Sequence, residues 1–226
     1  MFIGHFSAAF IAAASSRRAP KLLTLFVGAQ LVDWGFFAFA AIGVEAMRIV
    51  PGITAMNPLD LYFMPYTHSL LGTAVWGLAF AAFLLVKWRD VVPALIGFLV
   101  VLSHWVLDLV THRPDLTLAG GEDKFGFGLW NYPWAAIPLE LALILGSFIY
   151  FMRRTKGPLV PPLVLLGVML AMQAINWFGP EPETAGPAFY LSALAAFLVA
   201  TLLAAWVGAT RWHKREVGLA VTSLRR

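Results

Sequence analysis

Three residues set the first chemical question: His104, Asp108 and His112 follow one another at intervals of four. On a helix that spacing places them along one face, with neighbouring Cβ atoms about 5–6 Å apart. Two such side chains can converge on one metal ion, and a His-x-x-x-Asp pair is a plausible two-ligand clamp. Alone it is a weak signal. It gains weight from other polar residues in apolar surroundings: His5, Asp33, His68 and Glu140. A charged side chain at mid-membrane costs about 3 kcal/mol, so intramembrane acids ask for a function. A bound Zn²⁺ lowers the pKa of its water to about 7, and a nearby carboxylate can take the proton.

The elements that must position these residues are membrane helices. Of 226 residues, 60% are hydrophobic and 12% charged, with 9 Trp, 18 Phe and no Cys. An ordinary soluble domain carries about 25% charged residues. This composition argues against a disordered chain, a disulfide scaffold and a nucleic-acid module. A span needs about 20 apolar residues. His68–Val86, Val91–Thr111, Pro133–Met152, Gly157–Pro180, Thr184–Thr210 and Leu22–Met47 meet this requirement. Phe2–Ser16 is apolar but short. Its basic residues follow the apolar run, the reverse of a signal peptide, so a retained short helix is expected. The expected fold is all-α: a polytopic membrane bundle of about six full spans plus a short N-terminal helix. It forms one domain, with the metal-site part in residues 1–150, two further helices in 157–210 and a basic tail in 211–226.

Thirteen of the sixteen Lys and Arg fall in alternate connections: Arg17, Arg18, Lys21; Lys87, Arg89; Arg153, Arg154, Lys156; and the tail from Arg211 to Arg226. The positive-inside rule places these in the cytoplasm. The net charge of +4 is then a topology signal. An outside N-terminus and a cytoplasmic C-terminus follow, with outer connections at 48–67, 112–132 and 181–183. His5, His68, His104, Asp108 and Glu140 all fall in the outer half of the membrane. Asp33 falls near the middle of its helix. Thr67 is the expected N-cap of the third span.

Each residue also has a plainer role open to it. His5 could be an exposed terminal residue, and His68 interfacial decoration. Asp33 could anchor a neighbouring helix, and Glu140 could bond a nearby Asn or Trp. His104 and Asp108 could pair without metal, and His112 could lie behind the ligands. His213, in the tail, is expected to face solvent. The Trp and Tyr residues, including Trp88, Trp130, Tyr132, Trp134 and Trp212, read as interfacial belts. Ala196, Ala200, Ala204 and Gly208 make a small-residue face on the last helix, which permits close packing.

Gly4-His5, Leu31-Val32-Asp33, Tyr66-Thr67-His68-Ser69, Ser103-His104-Trp105-Val106-Leu107-Asp108 with Thr111, and Gly128-Leu129-Trp130-Asn131 together carry a resemblance. Over roughly residues 1–150 the chain resembles the bacterial inner-membrane family labelled membrane-bound metal-dependent hydrolases. Two departures, Trp34-Gly35-Phe36 after the first Asp and Met64-Pro65-Tyr66 before Thr-His-Ser, weigh against a binuclear site. The resemblance implies a hydrolase of the bacterial inner membrane. In this reading His5, His68, His104 and Asp108 hold a divalent ion, most readily Zn²⁺. Asp33 is a further ligand or the general base, and Glu140 an alternative base. Thr67 and His112 support the ligands, and Arg113, Lys124 and Asn131 contact substrate. The depth of the site points to a lipid or a lipid-linked ester or phosphoester. Two other classes stay open. In a proton- or ion-coupled transporter, Asp33, Asp108 and Glu140 would relay charge. In a non-catalytic scaffold the polar cluster would be structural. A flux assay separates the first; activity-neutral loss of stability on replacing His104 and Asp108 separates the second. The late His-x-x-x-His pair of ceramidase-like seven-helix hydrolases is absent, since the last two helices hold no His or acid.

Overall fold

A computed structural model describes residues 1–214. The chain is an all-α polytopic bundle. A 3₁₀ turn (Ile3–His5) leads into α1 (Phe6–Ser15). Then follow α2 (Leu22–Ala29), α3 (Leu31–Ala41), α4 (Leu70–Trp88), α5 (Val91–Thr111), α6 (Pro133–Arg154), α7 (Val160–Phe178) and α8 (Pro187–Thr210). Among the described residues, α4 to α8 are each long and apolar enough to cross a membrane. Two small antiparallel pairs complete the chain. One joins β1 (Ala46–Ile49) to β2 (Leu59–Phe63); the other joins β3 (Thr155–Lys156) to β4 (Trp212–His213). The tail beyond Lys214 lies outside the described residues.

The short helix α1 is the centre of the bundle. At 1.5 Å per residue its ten residues reach about 15 Å, half a bilayer core. Phe6, Ala9, Phe10, Ala13 and Ala14 are buried at helical spacing. Phe10 is ringed by Phe26, Phe148 and Phe151 at 5.3–5.6 Å between ring centroids. Lipid tails are as apolar as these side chains, so close van der Waals contact and small residues hold such helices together. Glycine does this work between α4 and α5. A Cβ on Gly97 would stand 2.3 Å from Leu84, and one on Gly77 3.0 Å from Phe98. The outer face of α4, with Leu71, Val75, Leu78 and Val86 exposed, is left for lipid. On α8, Ala200 and Ala204 are fully buried and Gly208 lies against Leu22 of α2. This part of the small-residue face packs within the chain.

The segment expected as one span at Leu22–Met47 is broken. Helices α2 and α3 meet at Gln30 with a bend of 52°. Gln30 leaves helical geometry (φ −110°, ψ 7°), and its buried side chain bonds Asp33. Asp33 is therefore not mid-helix. It sits in the first turn of α3, where free N–H groups and the helix dipole favour a carboxylate.

The basic connections gather at one end. The Arg17 guanidinium donates to the Lys214 carbonyl, Arg18 pairs with Asp90, and Arg154 reaches the Ala14 carbonyl. At that end, Arg17, Lys156, Trp212 and His213 line an open cavity of about 490 Å³. His213 is only half-exposed there, because strand pairing with Thr155 covers it. The other end carries the β1–β2 hairpin and the 112–128 loop, which the first turn of α4 holds through Leu70 N–H to Thr117 O and Leu71 N–H to Leu118 O.

Candidate metal centre

Four elements meet at the end opposite the basic connections. The 3₁₀ turn brings His5, α3 brings Asp33, the turn before α4 brings His68, and α5 brings His104, Asp108 and, just past its end, His112. Their side chains are all but inaccessible: His68 3%, His104 0%, Asp108 2% and His112 4% exposed, against 16% for Asp33. His5 is 1% exposed, so it is no surface residue. Two buried groups could hold a metal ion: His5, His104 and Asp108; and Asp33, His68 and His104.

The histidine tautomers follow from their partners. His104 Nδ1 lies 2.9 Å from the Ala29 carbonyl, which can only accept. That carbonyl is exposed because α2 ends there; an unbroken helix would have used it. His104 Nε2 is then the nitrogen turned toward the cluster. It has no hydrogen-bond partner. His68 Nδ1 lies 2.9 Å from Thr67 Oγ1. The Thr67 hydroxyl donates to Glu45 at 2.6 Å, so its oxygen accepts from His68 Nδ1–H and turns Nε2 toward the cluster, where it meets Asp33. His112 Nδ1 donates to Asp115 at 2.9 Å, with the same result.

These Nε2 atoms, and that of His5, face carboxylate oxygens. His104 Nε2 is 3.1 Å from Asp108 Oδ2 and 3.5 Å from Asp33 Oδ1. His68 Nε2 is 3.2 Å from Asp33 Oδ1 and 3.8 Å from Asp108 Oδ2. His5 and His112 approach Asp108 Oδ1 at 3.1 and 3.3 Å. Acceptor facing acceptor is repulsive unless a proton or a cation lies between them. The Met1 amino nitrogen supplies one positive charge, 3.0 Å from Asp108 Oδ1. Protons are the other source. Burial disfavours a charged His112, but the Asp108 and Asp115 carboxylates outweigh it and lift His112 to about 9.

The remaining residues singled out by sequence fall in different places. Glu140 Oε1 accepts from the N–H groups of Phe2 and Gly4 at 2.9 Å each. It bonds backbone, neither Asn nor Trp, and anchors the turn that delivers His5. Arg113 is tied to Asp60, which also receives Arg48. Lys124 reaches the Asp115 carbonyl at 3.5 Å. Asn131 is exposed on the 3₁₀ turn Leu129–Asn131. Thr67 is not the cap of α4. Ser69 is, accepting from Gly72 N–H, because the Thr67 hydroxyl is committed to Glu45.

Four supporting residues went unread in the sequence. Glu45 accepts from Tyr66 N–H, Thr67 N–H and the Thr67 hydroxyl, and so fixes the turn that carries His68. Gln173 accepts from Ile3 N–H. Asp115 orients His112. Trp130, expected as a belt residue, packs on His112 at 4.1 Å between centroids. Signals existed for two of them: Glu45 is an acid at the end of an apolar run, and Asp115 follows His112 by three. Comparison with protein-family models, with curated proteins and with solved structures finds no match to this chain.

Proposed function

We propose that the chain is a membrane-embedded, metal-dependent hydrolase acting on a lipid or a lipid-linked ester or phosphoester. One observation carries the metal. Asp33 Oδ1, His68 Nε2, His104 Nε2 and Asp108 Oδ2 face one another along four edges of 3.1 to 3.8 Å. A tetrahedral ion with bonds of about 2.1 Å needs ligand atoms about 3.4 Å apart. The donors suit Zn²⁺: two imidazoles and two carboxylates, with tautomers set from behind. The orphan His104 Nε2 argues the same way, since a buried polar atom left unpaired costs about 1–3 kcal/mol.

When bound, the ion supplies a hydroxide-like water at neutral pH and a Lewis acid. The chain's own residues do the rest. Thr67 with Glu45, and the Ala29 carbonyl, hold His68 and His104 with Nε2 inward. Asp33 is the most exposed member of the cluster, so it stands where water and substrate arrive; its Oδ2, held by Gln30, is the acceptor for the water's proton. Glu140 is a positioning residue in this reading, since its Oε1 is already filled by two N–H donors. The apolar helices around the site favour a lipid-like substrate. The resemblance supports the bacterial inner membrane, and the gathered basic end supports a cytoplasmic C-terminus with the site in the extracytoplasmic leaflet. The polar cluster occupies one end of the bundle only, which counts against a continuous transport path.

The test is hydrolysis of a panel of phospholipids and lipid-linked phosphoesters in detergent micelles, read as released phosphate, headgroup or fatty acid. The wild-type protein loaded with Zn²⁺ should cleave at least one class, and a chelator or His104→Ala should abolish it. Lipid-independent ion flux in liposomes with no cleavage would overturn the reading in favour of transport.

A further inference from the structure

We propose that the other oxygen of Asp108 holds a second metal ion, with His5 and His112. This rests on the metal-site reading above and deepens it. The cluster offers seven inward acceptors: four Nε2 atoms, Asp33 Oδ1 and both Asp108 oxygens. A four-coordinate ion at Asp33, His68, His104 and Asp108 Oδ2 uses four of them. Left over are His5 Nε2 and His112 Nε2, with Asp108 Oδ1 between them at 3.1 and 3.3 Å.

Three observations say that this remainder is built for a cation. First, His112 donates Nδ1–H to the buried Asp115 at 2.9 Å. A carboxylate behind a histidine is the usual support of a metal ligand, fixing its tautomer and raising its basicity. Second, neither ring nitrogen of His5 has a hydrogen-bond partner, although the residue is 1% exposed. Buried polar atoms are normally satisfied, and a structural histidine would be. Glu140 and Gln173 bind the backbone just before His5 through Phe2, Ile3 and Gly4, while its Nε2 is left facing Asp108 Oδ1 at 3.1 Å. Third, the His5 ring lies flat on the His104 ring, 3.7 Å between centroids and 4° apart. The stack fixes the His5 ring from one face, with its Nε2 turned to Asp108 Oδ1 at 3.1 Å. The lobe already draws positive charge: the Met1 amino group lies there, 3.0 Å from Oδ1 and 3.5 Å from Thr111 Oγ1.

Asp108 thereby becomes a bridging carboxylate, one oxygen to each ion. Paired ions in hydrolytic sites stand about 3.5–4 Å apart, a spacing that one carboxylate spans. The two lobes differ in kind. The first has four protein ligands and would take its water as a fifth. The second has three and leaves a position for a substrate oxygen, the mark of a catalytic site. Trp34-Gly35-Phe36, which lacks a second acid after Asp33, does not oppose this, because the second set comes from His5 and His112.

The test is metal stoichiometry by elemental analysis after equilibration with Mn²⁺, with electron paramagnetic resonance on the same samples. Wild-type protein should hold about two ions per chain with a broadened, exchange-coupled spectrum. His112→Gln and the double variant His5→Gln/His112→Gln should hold about one, with the resolved six-line spectrum of an isolated ion. Unchanged gel-filtration profiles and melting temperatures show that the variants fold; if the double variant fails to fold, His112→Gln alone decides. One ion in the wild type, unchanged in the variants, overturns the second site and leaves the first, with the Met1 ammonium as the lobe's only cation. Two ions retained in the folded variants overturn the assignment to His5 and His112. No ion in any of them overturns the underlying metal reading as well.

Discussion

At the basic end of the bundle, Arg18 meets Asp90 at 2.5 Å with side chains 60% and 28% exposed. At the other end, Asp108 is 2% exposed and faces four histidines and an amino group. The two ends treat charge in opposite ways. The basic end spreads cations over loops, pairs them one to one and leaves them in contact with solvent. Such pairs are screened and contribute little. The opposite end removes its carboxylates from solvent, crowds them with acceptors and orients those acceptors from behind. Among the described residues, only that arrangement could hold a metal ion. In this chain the sign of charge reports topology, whereas burial with unfinished bonding reports chemistry.

That contrast breaks most sharply at its centre. Asp108→Ala removes two donor atoms, and metal affinity should fall by more than the roughly 10–100-fold that loss of a supporting group costs; isothermal titration with Zn²⁺ measures it. Thr67→Val leaves the ligands in place but removes the oxygen that fixes His68. Affinity should drop by about 10–100-fold, and Thr67→Ser should restore it. A structural role for Thr67 alone would lower the melting temperature without changing the affinity. Gly126 closes the loop over His112 at φ +154°, where a Cβ would stand 2.3 Å from the Arg113 carbonyl oxygen. Gly126→Ala should destabilise the fold by about 1–3 kcal/mol, seen in thermal melts, with a secondary loss of metal. Glu140→Gln keeps an oxygen for Phe2 and Gly4 and should leave lipid hydrolysis near wild type; a large loss would make Glu140 the base instead. The smallest effect belongs to the basic end. Asp90→Ser keeps a cap for Val92 N–H and discards the Arg18 pair, and neither melting temperature nor metal content should change measurably.

The spans were legible because lipid imposes a crude, strong rule: about 20 apolar residues and no unsatisfied backbone. Val91–Thr111 can be read to the residue. The break at Gln30 was not legible. Leu22–Met47 has only Gln30 and Asp33 as polar side chains near its middle, and nothing local forbids a straight helix. The interruption makes sense only once His104 is seen to use the freed Ala29 carbonyl. His5, Asp33, His68, His104 and Asp108 could be gathered from the sequence because ionisable residues are rare and costly in apolar helices. Their supports could not. Glu45 and Asp115 lie in connections, where acids are ordinary, and only the folded chain shows them buried behind His68 and His112. Glu140 was found for the right reason, its membrane depth, but its partners are two backbone N–H groups that no side-chain pattern reveals. The β1–β2 hairpin, with its Arg48–Asp60–Arg113 pairing, also lay hidden in a connection rich in Gly and Pro.

The most direct measurement is elemental analysis of the detergent-purified protein beside His104→Ala/Asp108→Ala, each equilibrated with Zn²⁺ and desalted. The account predicts at least about one tightly held ion per wild-type chain, and none in a variant that still elutes as a folded species. No ion in the wild-type protein would contradict it, leaving His104 and Asp108 as a buried pair satisfied by protons.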